Sequence, residues 1–178
     1  MIKTTKKGLS AIVQMLPGLI DEAAAEYNAQ PLQAIPEFTI SLKSKVAPSK
    51  LMQVTSSADI EKAARAVFNA DSIDWVESML IFALSRANKI QGFYKVSQGG
   101  INGTVCDPRV IMQFALLANA SNIILCHNHP SGNVQPSQGD KEVTQKIKEA
   151  ARYLDVRVLD HVILTSESYF SFADEGLI

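Results

Sequence analysis

The chain has 178 residues, 47% of them hydrophobic and 20% charged, with a formal net charge of −1. That length and composition suit one domain with a sizeable core plus an appendage, and the balanced charge argues against a broad nucleic-acid-binding surface. The two cysteines, Cys106 and Cys126, make no disulfide framework, and no uninterrupted apolar stretch is long enough to span a bilayer.

The basic start, Met1 to Lys7, followed by Leu9 to Ile20, has a faint likeness to a signal peptide. Gln14 and Pro17 interrupt the apolar run, however, and Leu9, Ile12, Val13, Leu16, Leu19, Ile20, Ala23, Ala24 and Tyr27 recur at helical spacing. The spacing predicts an amphipathic helix bent at Pro17, in a cytoplasmic protein. Residues 28–36, with Pro31 and Pro36, read as a linker, so the chain divides into 1–36 and a domain over 37–178. Phe38, Ile40 and Leu42 alternate with polar residues as in a half-buried strand, and Lys43, Lys45 and Lys50 suit a strand edge protected by lysine.

Ile60, Ala63, Ala64, Val67 and Phe68 mark a helix that Ser57 would cap. The continuous apolar run Met79 to Leu84 predicts a central buried strand, with Phe93, Tyr94 and Val96 on its hairpin partner and Gly99-Gly100 as a turn or bulge. Asp107-Pro108 starts a helix, aspartate as cap and proline at the first position, whose apolar face is Val110, Ile111, Phe114, Leu117 and Ala118. Ile123 to Cys126 is a buried strand, and a loop runs from Asn128 to Pro136. A helix beginning near Ser137 buries Val143, Ile147, Ala150, Ala151 and Leu154. Val156 to Leu164 and the short Tyr169 to Phe172 are the last strands. Strands alternating with helices predict an α/β (α+β) class with a mixed sheet flanked by helices.

The chemistry concentrates where the strand Ile123–Cys126 ends. Two of the three histidines in the chain, His127 and His129, stand one residue apart there. Side chains two apart on a strand share a face, so both imidazoles can point at one object, while Cys126 faces the other way. Asp140 follows at the start of a helix, where Ser137 and Asp140 also fit a capping box. Cap and ligand roles are compatible. Two imidazoles and a carboxylate are the ligand set of a catalytic zinc site that keeps a position for water. Hydrolysis there also needs a group to take and deliver a proton. Glu77, at the mouth of the strand Met79–Leu84, is the candidate, although taken alone it better fits an exposed strand-end glutamate. Ser137 can supply a donor to an oxyanion.

The string His127-Asn128-His129-Pro130-Ser131-Gly132, with Pro136-Ser137 and Asp140, resembles the JAMM motif of the MPN/JAB metalloprotein superfamily, and within it the RadC family. Glu77-x-Met79, Arg86-Ala87-Asn88, Pro108-Arg109 and Leu159-Asp160-His161-Val162-Ile163 extend the resemblance over roughly residues 40–178. It implies a mixed sheet flanked by helices, similar to the cytidine deaminase architecture. It implies one zinc per chain on His127, His129 and Asp140, Glu77 as general acid/base through a metal-activated water, and Ser137 steadying the tetrahedral intermediate. Active members of the superfamily hydrolyse amide or isopeptide bonds, and some release ubiquitin-like modifiers.

Two departures stand out. Met79 replaces the usual aromatic, which is a packing change, and residues 1–40 are too few for the helix-hairpin-helix region of longer members. The implied function is a JAMM-type zinc metallopeptidase or isopeptidase acting on a peptide or protein substrate, with no membrane involved. The alternative is a module associated with DNA repair or recombination, or a non-enzymatic interaction module that retains the metal. The complete set of Glu77, His127, His129, Ser137 and Asp140 argues against degeneration. His161 reads as a hydrogen-bonded structural histidine, with the roles of a partner behind the ligands or a third ligand left open. The letters His-Asn-His do not indicate an HNH nuclease, which spreads those residues far apart. A zinc deaminase would need His-x-Glu and Pro-Cys-x-x-Cys, both missing here.

Overall fold

A computed structural model describes residues 45–99 and 106–178. The amphipathic helix and linker expected over residues 1–36, the strand Phe38–Leu42 with Lys43, and Gly100 of the glycine pair lie outside them. After a short 3-10 turn at Pro48–Lys50, the described elements are α1 (Ser57–Arg65), β1 (Ser78–Leu84), β2 (Ile90–Gln98), α2 (Pro108–Leu117), β3 (Asn122–Asn128), α3 (Gln138–Arg152), β4 (Arg157–Leu164) and β5 (Tyr169–Ser171). The five strands form one mixed sheet in the order β2-β1-β3-β4-β5. β1 runs antiparallel to β2 and β3, β3 runs parallel to β4 with α3 as the crossover, and β5 returns antiparallel on β4. This is the mixed sheet with flanking helices that the sequence predicts. No helix among the described residues is long and apolar enough to cross a membrane.

Every residue of β1 and β3 is buried, because helices cover both faces of the sheet. On one face Leu80, Phe82, Leu84, Ile124 and Cys126 pack against Ile60 and Ala64 of α1. On the other, Met79, Ile81, Ile123 and Leu125 pack against Ile111 and Ala115 of α2 and Ile147 and Ala151 of α3. The period of two therefore puts Cys126 and His127 on opposite faces, as expected, and sends His127 toward α3.

The helix ends and faces show where local patterning misleads. α1 is capped by Ser56, not Ser57: the capping box pairs Ser56 with Asp59, while the Ser57 hydroxyl donates to Asp174 Oδ2 at 2.5 Å. Three hydroxyl residues stand together at 55–57, and the acid three residues on decides which of them caps. α2 begins as expected, Arg109 N donating to Asp107 and Pro108 taking the first position. Its buried face is Ile111, Met112 and Ala115, and Leu117 is exposed. Leu154, expected in the core, lies beyond the end of α3 and is also exposed.

Asp160 fastens the C-terminal segment to β4. Its carboxylate accepts from His161 N at 2.7 Å, Ala173 N at 2.9 Å and Ser171 Oγ at 2.6 Å. Burial nonetheless raises its pKa above the ordinary carboxylate value, against those three hydrogen bonds. Asp160→Ala, which strands three donors, is expected to lower stability by about 2–4 kcal/mol in urea unfolding. The raised native pKa means that folding favours the protonated carboxyl. That contribution is full below the unfolded value of about 4 and is lost as pH rises through the native value. Relative to Asp160→Asn, the native chain should lose stability across that window; a pH-independent difference would contradict this.

Candidate metal centre

His127 is the sixth residue of β3 and is fully buried. His129 leaves the strand but stays anchored, its backbone N donating to Leu164 O at 2.8 Å. The chain then turns sharply, Gly132 N donating to His129 O at 3.1 Å, with Pro130 at the position where its fixed φ suits such a turn. Gly132 has φ +77°, a left-handed conformation that favours glycine. The turn brings Asn133 O within 2.7 Å of His129 Nδ1, which directs Nε2 inward.

Asp140 sits in the first turn of α3. Ser137 caps that helix, its Oγ accepting from Asp140 N at 3.1 Å, while Ser137 N and Oγ donate to Asp140 Oδ2 at 2.7 and 2.6 Å. The expected capping box is present, and it orients the second carboxylate oxygen, Oδ1, toward His127.

The structure brings these residues together. His127 Nε2 is 2.9 Å from His129 Nε2 and 3.3 Å from Asp140 Oδ1, and His129 Nε2 is 3.6 Å from Asp140 Oδ2. Donors around a tetrahedral zinc with bonds of about 2.0–2.1 Å lie about 3.3 Å apart. Two imidazole nitrogens and a carboxylate oxygen at this spacing can hold a metal ion. Burial works to raise the pKa of Asp140, but hydrogen bonding to His127 and His129 outweighs it and holds the carboxyl far below its usual range. The hydrogen bond to Asp140 raises the pKa of His129, with smaller contributions from Asn133 O and the charge of Glu77. The site is thus a carboxylate with two imidazoles drawn around it.

Glu77 joins them through the packing of β1 on β3. Met79 pairs with His127 across the antiparallel β1–β3 ladder. Glu77 stands just ahead of β1, two residues before Met79, and both border the cleft that holds His129. Glu77, His129, Ser137 and Asp140 line one cleft of about 800 Å³, with Met79, Cys106, Pro108 and Val143 among its apolar walls. Asn133 and Gln135 of the loop border it. Burial, then the charge of Asp107, pushes the Cys106 thiol up to about 11, so it stays protonated at neutral pH.

The sequence reading assigned no role to two residues that shape the site. Asn128, between the histidines, faces away from them. Its Oδ1 accepts from Ser78 N at 2.8 Å, and its Nδ2 donates to Ile73 O at 2.6 Å and Val76 O at 2.9 Å. It therefore holds the segment that delivers Glu77. Thr144, buried in α3, contacts His161, which lies behind His127 and stacks on Phe172 with ring centroids 4.8 Å apart. Burial, then the neighbouring His127, drives the pKa of His161 well below its ordinary value. Strand alternation carries a signal for Asn128, since a residue between two ligands must face the opposite side. Nothing local marks Thr144.

Comparison with known proteins agrees with this geometry. The family described as RadC-like JAB domain matches residues 54–177. A UPF0758 protein of Flavobacterium johnsoniae is 42% identical over 128 residues, 72% of this chain and 55% of the relative. One from Porphyromonas gingivalis is 46% identical over 103 residues, 57% of this chain and 45% of the relative. The UPF0758 protein YfjY of Escherichia coli is 38% identical over 102 residues, 57% of this chain and 64% of the relative. The chain spans about half the length of most of these curated relatives, and their names state no activity. With a family match over most of its length and a His-His-Asp group between the end of β3 and the start of α3, the chain belongs to the RadC-like JAB domain family.

Proposed function

We propose that this chain is a zinc-dependent metallohydrolase of the JAMM type that cuts a peptide or isopeptide bond, with Glu77 as general acid/base. The observation that carries the reading is the placement of Glu77 in the same cleft as His129 and Asp140. A donor set of two imidazoles and one carboxylate suits a catalytic zinc better than a structural one, which usually has four protein ligands rich in cysteine. Zinc held by His127, His129 and Asp140 would acidify water and polarise a scissile carbonyl.

The chain's own groups do the rest. No described side chain hydrogen-bonds the Glu77 carboxylate, and in this reading it takes a proton from water and delivers it to the leaving amine. Ser137 fixes Asp140 through the cap. Its single hydroxyl proton is committed to Asp140 Oδ2, so donating to an oxyanion would require that hydroxyl to rotate away from the ligand. The apolar walls formed by Met79, Pro108 and Val143 limit water around the scissile bond.

Elemental analysis of protein purified without chelator or metal-affinity resin tests the reading. The expected result is about one zinc per native chain and none in His127→Ala. No metal in either, even after zinc is added back, would overturn it and favour an interaction module.

A further inference from the structure

Behind the His127 ring runs a line of contacts that begins at one member of the trio and ends on the backbone of another. His127 Nδ1 lies 2.8 Å from His161 Nε2, His161 Nδ1 lies 2.6 Å from Thr144 Oγ1, and Thr144 Oγ1 lies 2.5 Å from Asp140 O. All three side chains are enclosed, His127 and His161 at 0% exposure and Thr144 at 2%.

The last contact sets the direction of every proton. A carbonyl oxygen only accepts, and two oxygens 2.5 Å apart without a proton between them would repel, so the Thr144 hydroxyl donates to Asp140 O. A hydroxyl has one proton, so toward His161 it can only accept, and His161 Nδ1 carries the hydrogen. The His161 ring hydrogen-bonds no carboxylate and is fully buried, an environment that disfavours a charged imidazole. Its Nε2 is therefore a lone pair, and His127 Nδ1–H donates to it. With Nδ1 so engaged, Nε2 is the ring atom of His127 turned toward His129 and Asp140, the atom whose lone pair a cation would take. His129 is turned the same way by a shorter route, Nδ1 donating to Asn133 O.

We propose that His161 and Thr144 are positioning residues that lock His127 in the tautomer able to ligate a cation through Nε2, by a relay that closes on the carbonyl of Asp140. A helical threonine often bonds the carbonyl four residues back. What goes further here is the buried imidazole on the other side of that hydroxyl, itself bonded to a member of the trio. The relay ties the donor from β3 to the donor from α3 through β4. It also takes up both ring nitrogens of His161, which is therefore no third histidine ligand. The inference deepens the zinc reading and rests on it for the metal-binding part of its test.

Thr144→Val keeps the side-chain shape and removes the acceptor for His161 Nδ1–H, while Thr144→Ser restores it. Zinc affinity of the full chain, measured by competition with a chromophoric chelator, should fall about 10–100-fold in the valine variant and return to within about threefold in the serine variant. In the metal-free native chain, nitrogen-15 spectra of the histidine rings should show His127 protonated at Nδ1. A His127 protonated at Nε2 instead, or equal zinc affinity in folded native and valine proteins, would overturn the relay. If the native chain binds no zinc, the proposed function falls, and the tautomer spectrum still decides the relay. That spectrum also decides it if the valine variant fails to fold.

Discussion

Glu77→Gln is expected to abolish hydrolysis while zinc stays bound. The substitution keeps the size of the side chain and removes its ability to hold a proton between water and the leaving group. Positioned acid–base groups contribute about 10²–10⁴-fold to rate, so turnover should fall by at least that range. None of the three metal-directed donors touches the change, since His127, His129 and Asp140 are held by His161, Asn133 and Ser137. The measurement pairs metal content with cleavage of whichever library peptide the native chain cuts. Peptidase activity retained in a zinc-loaded Glu77→Gln protein would remove Glu77 from the mechanism. Loss of zinc along with activity would instead make Glu77 part of the metal site.

Asn128→Ala should give the largest loss of stability among single changes near the site. The side chain is fully buried and bonds one backbone N–H and two backbone carbonyls of the segment before β1. Truncation strands Ser78 N–H in the interior and frees the 73–78 segment. Unsatisfied buried groups of this kind cost about 2–5 kcal/mol in total, a fall in Tm of roughly 5–15 °C. The functional effect should follow Glu77, because the released segment carries that residue. Zinc binding should survive better than turnover, since the two ligands flanking Asn128 face the opposite side of the sheet. A Tm within about 2 °C of the native protein would mean that water replaces the amide without penalty.

Both predictions turn on how the site was legible. His127, His129 and Asp140 could be read because their signals are local. A buried strand alternates its faces, and an N-capped helix displays the acid in its first turn. Met79–Leu84 and Ile123–Cys126 were legible as strands because helices cover both faces of the sheet, which requires apolar residues at every position. The buried face of α2 was not. Nearly every position from Val110 to Leu117 is apolar, so periodicity alone could not distinguish Met112, which is buried, from Leu117, which is exposed.

The sequence by itself determined the candidate donor types, the spacing of the two histidines at the end of β3 and the capped start of α3, because each depends on residues within a few positions of one another. Tertiary structure alone decided what surrounds them. Glu77 comes to share a cleft with His129 only through the packing of β1 on β3, across 52 residues of chain. Asn128 reaches Ser78 across 50 residues, His161 reaches His127 across 34, and Thr144 reaches His161 across 17. Such contacts form where independently patterned elements pack, and hydrogen bonding in a dry interior then selects which polar side chains can occupy the junctions. The metal-directed donors are thus written locally, and the groups that aim them and move protons are assembled by the sheet.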